Sequence, residues 1–269
     1  MERLISGKEV TASDNASGKN KFSEFFIFVK KGHDDCGDSA FVYSDENKTI
    51  IAVFDGVSGE AGAANASSDA ASAILESLRP EDKIDAKKME SAIKKAQAKI
   101  TFGLTTAAVA FIQKNGAFVI AGVGDSPIYG IDKKGKITLE LPLARAVKDG
   151  DAILKYFHYR NLLTAAIGKD SSGELALRSG KLEKGEILIL ASDGLSDNLY
   201  VKIKEGFVTD SSGCDDIGDI LKGKKTAESL VNALSGETTK RISIGKIEKS
   251  DSLLVPKEDD LSIAAIRML

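Results

Sequence analysis

The chain has 269 residues, 42% of them apolar, with 37 basic against 40 acidic side chains and a formal net charge of −3. That length suits one large domain or two small ones with a sizeable core, and the apolar share argues for a packed globule over a disordered chain. The mild acidity speaks against a general nucleic-acid-binding surface, which needs a basic patch. The basic clusters are small (Lys30 and Lys31; Lys133 and Lys134; Lys222, Lys224 and Lys225) and read as solvated faces. Two cysteines, Cys36 and Cys214, make no disulfide framework and fit a reducing cytosol. The opening MERLISGKEVTASDN lacks the apolar core of a leader peptide, and no apolar run reaches the ~18 residues that span a bilayer. A soluble, cytoplasmic monomer is expected, with no nucleic-acid or membrane partner.

In chain order, alternating or continuous apolar runs predict strands over Glu24–Val29, Ala40–Tyr43 and Thr49–Phe54. Two helices follow, Ala61–Leu78 and Asp85–Ile100, divided at Arg79-Pro80, with Asp85 as the N-cap of the second. Strands resume over Thr105–Gln113, Ala117–Val123, Ile128–Ile131 and Ile137–Leu141, with KNGA (114–117) and KKGK (133–136) as hairpin connections. A helix is expected over Ala152–Leu163, strands over Leu175–Lys181 and Ile187–Ala191, a helix over Thr226–Leu234, and a last strand over Leu261–Arg267. Strands and helices come in blocks and do not alternate. This order favours an α+β fold with antiparallel sheets, and strands apolar on both faces need two stacked sheets flanked by helices.

Carboxylates recur at the strand ends. IIAVFDGVSG (50–59) runs an apolar strand into Asp55-Gly56, and ILILASDGLSDN (187–198) repeats the design with Asp193 and Asp197. VGDS (123–126) places Asp125, CGDSAFV (36–42) places Asp38, and KEDDLSIAAI (257–266) places Asp259 and Asp260. Alone, each Asp beside Gly or Ser is a turn. Five such junctions in one sheet protein gather carboxylates that repel one another and resist desolvation unless cations neutralise them. An all-oxygen set suits Mg²⁺ or Mn²⁺ over Zn²⁺. Two such ions about 3.5–4 Å apart are the usual apparatus for attacking a phosphate ester with water.

DGVSGEAGAANAS (55–67), GLTTAAVAF (103–111), AGVGDSPIYG (121–130), RNLLTAAIG (160–168), LASDGLSDNL (190–199) and EDDLSIAAI (258–266) resemble, in order, the motifs of the metal-dependent protein phosphatases, the PPM or protein phosphatase 2C family. They span almost the whole chain, so the resemblance implies one prokaryote-like catalytic domain over residues 1–269. It implies a four-layer α-β-β-α sandwich of two antiparallel sheets flanked by helices. Asp55 would bridge two Mg²⁺ or Mn²⁺ ions, the Gly56 carbonyl would bind one, and Asp193 and Asp259 the other. Asp38 would hold a metal-bound water. Asp125, with Asp193 and Asp197, matches a third, weaker ion site. The implied reaction is direct attack of a bridging water on phosphoserine or phosphothreonine of a protein substrate, with a kinase as the opposing partner.

The sequence departs from the family pattern in ways that bear on chemistry. Gly37 stands where an acidic ligand is common, and no Arg precedes Asp38 to hold phosphate; His33, Lys30 and Lys31 are the nearest candidates. His33 would bind phosphate as an imidazolium, or else be a loop residue paired with Asp34 or Asp35. His158 reads as structural. Val57 replaces a His that serves as general acid in many members. Pro127, the ARAV segment at 144–147 and Asp260 replace an Arg, an Asp-His-Ser and an Asn. Residues 141–161 are expected to form a substrate-facing flap.

Cysteine-dependent phosphatase chemistry is a poor fit, because position 42, six after Cys36, is Val and position 220, six after Cys214, is Ile where Arg is needed. No Gly-rich phosphate loop ends in Gly-Lys-Ser/Thr. The rival from another class is a pseudophosphatase, a phosphoprotein-binding module on the same fold, motivated by Gly37 and the missing Arg.

Overall fold

The computed structural model describes residues 1–58, 61–141, 143–169, 171 and 174–269. Strands β1 (Glu2–Ile5), β2 (Ser13–Lys19), β3 (Ser23–Lys30), β4 (Ser39–Ser44) and β5 (Lys48–Phe54) precede helices α1 (Ala63–Leu78) and α2 (Ala86–Lys99). Next come β6 (Leu104–Thr105), β7 (Ala107–Gln113), β8 (Ala117–Val123), β9 (Ile128–Ile131), β10 (Ile137–Glu140), α3 (Ile153–Tyr159), β11 (Ile167–Gly168), β12 (Ala176–Lys181) and β13 (Ile187–Ala191). The remainder holds α4 (Asp193–Ser196), β14 (Val201–Lys204), β15 (Phe207–Asp210), α5 (Cys214–Leu221), α6 (Ala227–Ile244), β16 (Ile247–Glu248), β17 (Ser252–Leu254) and β18 (Leu261–Met268).

Two six-stranded antiparallel sheets stack, in the orders β1-β4-β5-β7-β8-β12 and β10-β9-β13-β18-β3-β2. The period of two along each strand explains the layers. In β5, Ile51 and Val53 point to the second sheet and meet Ile27, Val29, Leu188 and Leu190. Ile50, Ala52 and Phe54 point the other way and lie under Ala70 and Ile74 of α1 and Met89 and Ile93 of α2. On the far side, Ile189, Ile263 and Ala265 lie under Ile217 of α5 and Leu230, Val231 and Leu234 of α6. Both sheets are covered on both faces, which is why their central strands read as unbroken apolar runs. The four-layer α-β-β-α sandwich expected from the sequence is the observed architecture.

Local chemistry agrees with the boundaries. Asp85 caps α2 by accepting from the Lys88 amide at 2.8 Å. Thr226 and Ser229 form a reciprocal capping box at the start of α6. Both expected hairpins turn on a glycine at positive φ, Gly116 at +83° and Gly135 at +84°.

Several features differ from expectation, among them the short strands β14–β17, which the sequence pattern does not mark. The edge strands β1 and β2 are not marked by the sequence pattern: β1 has only four residues, and SDNASGK of β2 carries almost no apolar residue. Helix α5 was missed, its CDDIGDIL being short and interrupted by Gly218. Helix α6 runs on past Leu234 to Ile244, since its polar tail buries Thr238 and Arg241. Helix α3 covers only 153–159 of the expected 152–163. It packs with a small four-stranded sheet (β15-β14-β17-β16) around Val147, Tyr156, Val201, Val208 and Leu253. Position 142 of the expected flap, and positions 59 and 60 of the first family motif, lie outside the described residues.

Near the β4–β5 turn the two sheets are joined by uncharged side chains. The Asn20 amide donates to Ser44 Oγ at 2.9 Å and Thr49 Oγ1 at 3.0 Å, joining the β2–β3 turn of one sheet to the other sheet. Among the described residues, no helix is long and apolar enough to cross a membrane.

Arg241 ties α6 to α5. Its guanidinium donates to both Asp216 oxygens at 2.6 and 2.8 Å and to the Asn198 carbonyl at 2.9 Å. Removing one partner of a buried pair leaves the other charge uncompensated. Arg241→Met is expected to lower the unfolding free energy by about 3 kcal/mol, read from urea denaturation. An unchanged midpoint would show that this clamp carries no stability.

Candidate active site

Antiparallel pairing brings the scattered carboxylates together. Asp38 precedes β4, Asp55 follows β5, and Asp125 follows β8. Because β4, β5, β7 and β8 run alternately up and down, all three lie at one end of the first sheet. In the second sheet, β13 runs into Asp193 and β18 starts after Asp259 and Asp260, and these strands pair antiparallel as well. The alternation of Asp before and after strands thus becomes one acidic edge shared by both sheets.

Each side chain is held by its neighbours. Asp38 is 1% exposed, and one oxygen accepts from Ser262 Oγ at 2.7 Å. The Asp55 amide donates to Thr106 Oγ1 at 3.1 Å, and its carboxylate accepts from the Asp193 amide at 3.3 Å. Thr106 in turn shares a 2.6 Å hydrogen bond with Ser126. Gly56 is required by close approach: a Cβ there would sit 2.6 Å from the Gly37 carbonyl oxygen and 2.7 Å from that of Ala63. Asp193 opens α4, and a Cβ on Gly194 would collide with the Asp260 carbonyl. His33 stands at the rim, about half exposed, with Nε2 3.2 Å from Asp259 Oδ1. It therefore pairs with Asp259 and not with Asp34 or Asp35. His158 packs edge-on against Tyr159 in α3, away from these contacts.

Three residues that the sequence did not single out complete the site. Lys257 extends its ammonium to Asp259, to Asp193 at 3.2 Å and toward Asp197 at 4.0 Å. Arg145 donates from Nε to Asp125 at 2.9 Å and faces Asp197 from Nη2 at 3.0 Å. Arg160 donates to the Asp197 carbonyl at 3.1 Å and to that of Val255 at 2.8 Å. A Lys or Arg near acids in sequence reads as a surface pair, so only the fold distinguishes these. Asp260 ties the β3–β4 loop to β18, accepting from the amides of Gly32 at 2.7 Å and Gly37 at 2.6 Å.

Electrostatics follow from this crowding. Burial raises the carboxyls of Asp38 and Asp55 well above the usual range; Asp260 adds to the first, Asp193 and Asp38 to the second. Burial likewise raises Asp125 to about 7, against the pull of Arg145. Burial opposes the charge of Lys257, but Asp193 and Asp259 outweigh it and hold the ammonium protonated. Burial raises the Cys36 thiol, and Asp38 and Asp260 add to this; Cys214 is pushed to about 11, by burial first. Neither forms a thiolate readily, consistent with the rejection of cysteine chemistry.

Seven carboxylates (Asp38, Asp55, Asp125, Asp193, Asp197, Asp259, Asp260) are gathered here. Among the described residues their ion pairs come from Arg145, Arg160, Lys257 and His33. The balance leaves negative charge for cations, and the donors are hard oxygens. No three His, Cys, Asp or Glu side chains among the described residues yet converge as a finished metal cage. The Lys257 ammonium stands among Asp193, Asp197 and Asp259.

The fold and this edge of carboxylates define a phosphatase-type sandwich. The sequence model of the protein phosphatase 2C family matches residues 31–235, and the chain belongs to that family. A search of the curated proteins finds no match. Among solved structures, RsbX in complex with magnesium is similar at 19% identity and TM-score 0.62, over 95% of this chain and 100% of that one. The photosystem II phosphatase PBCP is similar at 19% identity and TM-score 0.67, over 91% and 98%. The S. agalactiae serine/threonine phosphatase is similar at 17% identity and TM-score 0.66, over 92% and 100%.

Two outcomes test this geometry. Thr106→Val strands the buried Asp55 amide and is expected to cost about 1–3 kcal/mol of stability, measured by thermal or urea unfolding. The second concerns pH in protein stripped of divalent ions with EDTA. Asp125 holds its proton to about 7, against ~3.9 for an unfolded Asp, so the folded chain binds more protons across that window. Stability must then fall as pH rises, with Asp38 and Asp55 acting in the same sense. A melting temperature that climbs from pH 5 to 7.5 in EDTA would contradict it.

Proposed function

We propose that this protein phosphatase is metal-dependent and hydrolyses phosphoserine and phosphothreonine in protein substrates. The buried carboxylates Asp38, Asp55, Asp193 and Asp259, gathered at one edge of both sheets, carry the reading. Asp55, the Gly56 carbonyl, Asp193 and Asp259 would hold two Mg²⁺ or Mn²⁺ ions. Bound there, the ions supply Lewis acidity and an activated water for attack on a phosphate monoester.

The chain's own residues prepare the rest. Asp38, fixed by Ser262, presents a carboxylate that accepts from a water and orients it. Lys257 brings positive charge to the Asp259 side, where the absent Arg would have served, and His33 places a ring nitrogen 3.2 Å from Asp259. Val57 offers no proton; its amide is spent on the Leu104 carbonyl at 3.0 Å. The departing serine or threonine oxygen therefore takes its proton from solvent. The reading extends to one catalytic domain acting as a cytoplasmic monomer opposite a protein kinase. The similarity to RsbX with magnesium supports the choice of ion class.

The test is hydrolysis of p-nitrophenyl phosphate and of phosphoserine peptides with added Mn²⁺. Asp193→Ala is expected to lower kcat/KM by about a hundredfold or more, since a metal supplies several kcal/mol and each ~1.4 kcal/mol is tenfold. Equal inertness of wild type and variant across metals would sink the enzyme reading. Tight phosphopeptide binding without turnover would favour the pseudophosphatase instead.

A further inference from the structure

The expected third ion meets an obstacle in the structure. Two of its three side chains, Asp125 and Asp197, already face a guanidinium. Arg145 donates from Nε to Asp125 Oδ2 at 2.9 Å and from Nη2 to Ser196 Oγ at 3.0 Å, with Nη2 also 3.0 Å from Asp197 Oδ1. The three side chains are 5%, 3% and 1% exposed, so the group is buried and screened little by solvent. The Asp197 oxygens receive no hydrogen bond of good geometry; their charge is balanced by Arg145 and by Arg160, whose Nε lies 3.6 Å away.

The backbone keeps Arg145 in place. The Ala144 amide donates to the Gly124 carbonyl at 2.9 Å, next to Asp125 itself. The Thr164 amide donates to the Ala144 carbonyl and the Ala146 amide to the Leu162 carbonyl, both at 2.8 Å. Arg145 and Leu163 form the bridge between them. This ladder fixes the backbone from which the guanidinium reaches Asp125, Ser196 and Asp197. Its guanidinium stays charged at any working pH and presents donors in a fixed fork.

We propose that Arg145 is a tethered replacement for the third cation, so that the centre accepts ions only at Asp55, Gly56, Asp193 and Asp259. The inference takes the position of the other ions from the reading above, but the place of Arg145 stands on its own contacts. A cation entering between Asp125 and Asp197 would have to displace a buried guanidinium together with its hydrogen bonds. In this chain the ARAV segment thus fills a site that its carboxylates alone would have left open.

The experiment counts Mn²⁺ per folded chain by equilibrium dialysis with elemental analysis. Wild type and Asp125→Asn are expected to bind the same number of ions. Arg145→Met keeps the side-chain length without the charge and should bind one ion more. That gain should vanish in the double variant Arg145→Met/Asp125→Asn and be absent in Arg145→Lys. An ion in the wild type that Asp125→Asn removes would overturn the proposal, as would a folded Arg145→Met that gains none. Should Arg145→Met fail to fold by circular dichroism, wild type against Asp125→Asn decides alone. A gain in Arg145→Met alongside a wild type that hydrolyses nothing would refute the phosphatase reading and leave this one standing.

Discussion

Everything at the functional edge depends on like charge brought into a poorly solvated place. Seven carboxylates at the common end of two sheets repel one another, and burial removes the water that would screen them. The chain answers with cations of its own: Arg145 between Asp125 and Asp197, Lys257 beside Asp193 and Asp259, Arg160 over Asp197. What they leave unbalanced lies around Asp55 and Asp38, each in contact with the other sheet or its extension. The guanidinium groups of Arg145 and Arg160 thus both face Asp197, whereas no cationic side chain among the described residues pairs with Asp38 or Asp55.

Much of this was legible because strand chemistry is local. An apolar run ending in Asp-Gly or Gly-Asp can be read from a few residues, and antiparallel pairing then dictates that alternate ends meet. The sandwich, its main strands and the clustering of Asp38, Asp55, Asp125, Asp193 and Asp259 followed from that. The counter-charges were not legible. Lys257 sits in VPKEDD and Arg145 in ARAV, where each looks like an ordinary surface cation. Only tertiary placement, 64 residues apart for Lys257 and Asp193, turns them inward. Strand β2 stays hidden because SDNASGK carries almost no apolar residue, and α5 because its eight residues are too few for a helical period to stand out. Asp260 is a third kind of case. It reads as one more carboxylate at a strand end, in place of the family's Asn, and its oxygens accept from the amides of Gly32 and Gly37.

Glycines at this edge serve close packing more than turning. Gly56 lies against the carbonyls of Gly37 and Ala63, and Gly194 against that of Asp260. Gly37 belongs to the same contact, for a Cβ on it would stand 3.2 Å from the Gly56 carbonyl oxygen. Its lack of a carboxylate and the close approach of the two loops are one fact. The opposite end of the sandwich shows the contrast. There Asn20, Ser44 and Thr49 join the sheets through neutral hydrogen bonds that need no ion.

The placement of β18 sets an order of events. It is the last strand in the sequence, yet it lies between β13 and β3, with partners 231 to 245 residues earlier along its register (Leu261 opposite Lys30, Met268 opposite Ser23). Such long-range pairing closes slowly, because the loop entropy is lost before the contacts form. During synthesis the second sheet has a gap at its centre until these residues emerge, and Asp259 and Asp260 are the last of the seven carboxylates to arrive. Completion of the core and completion of the charged edge are the same step.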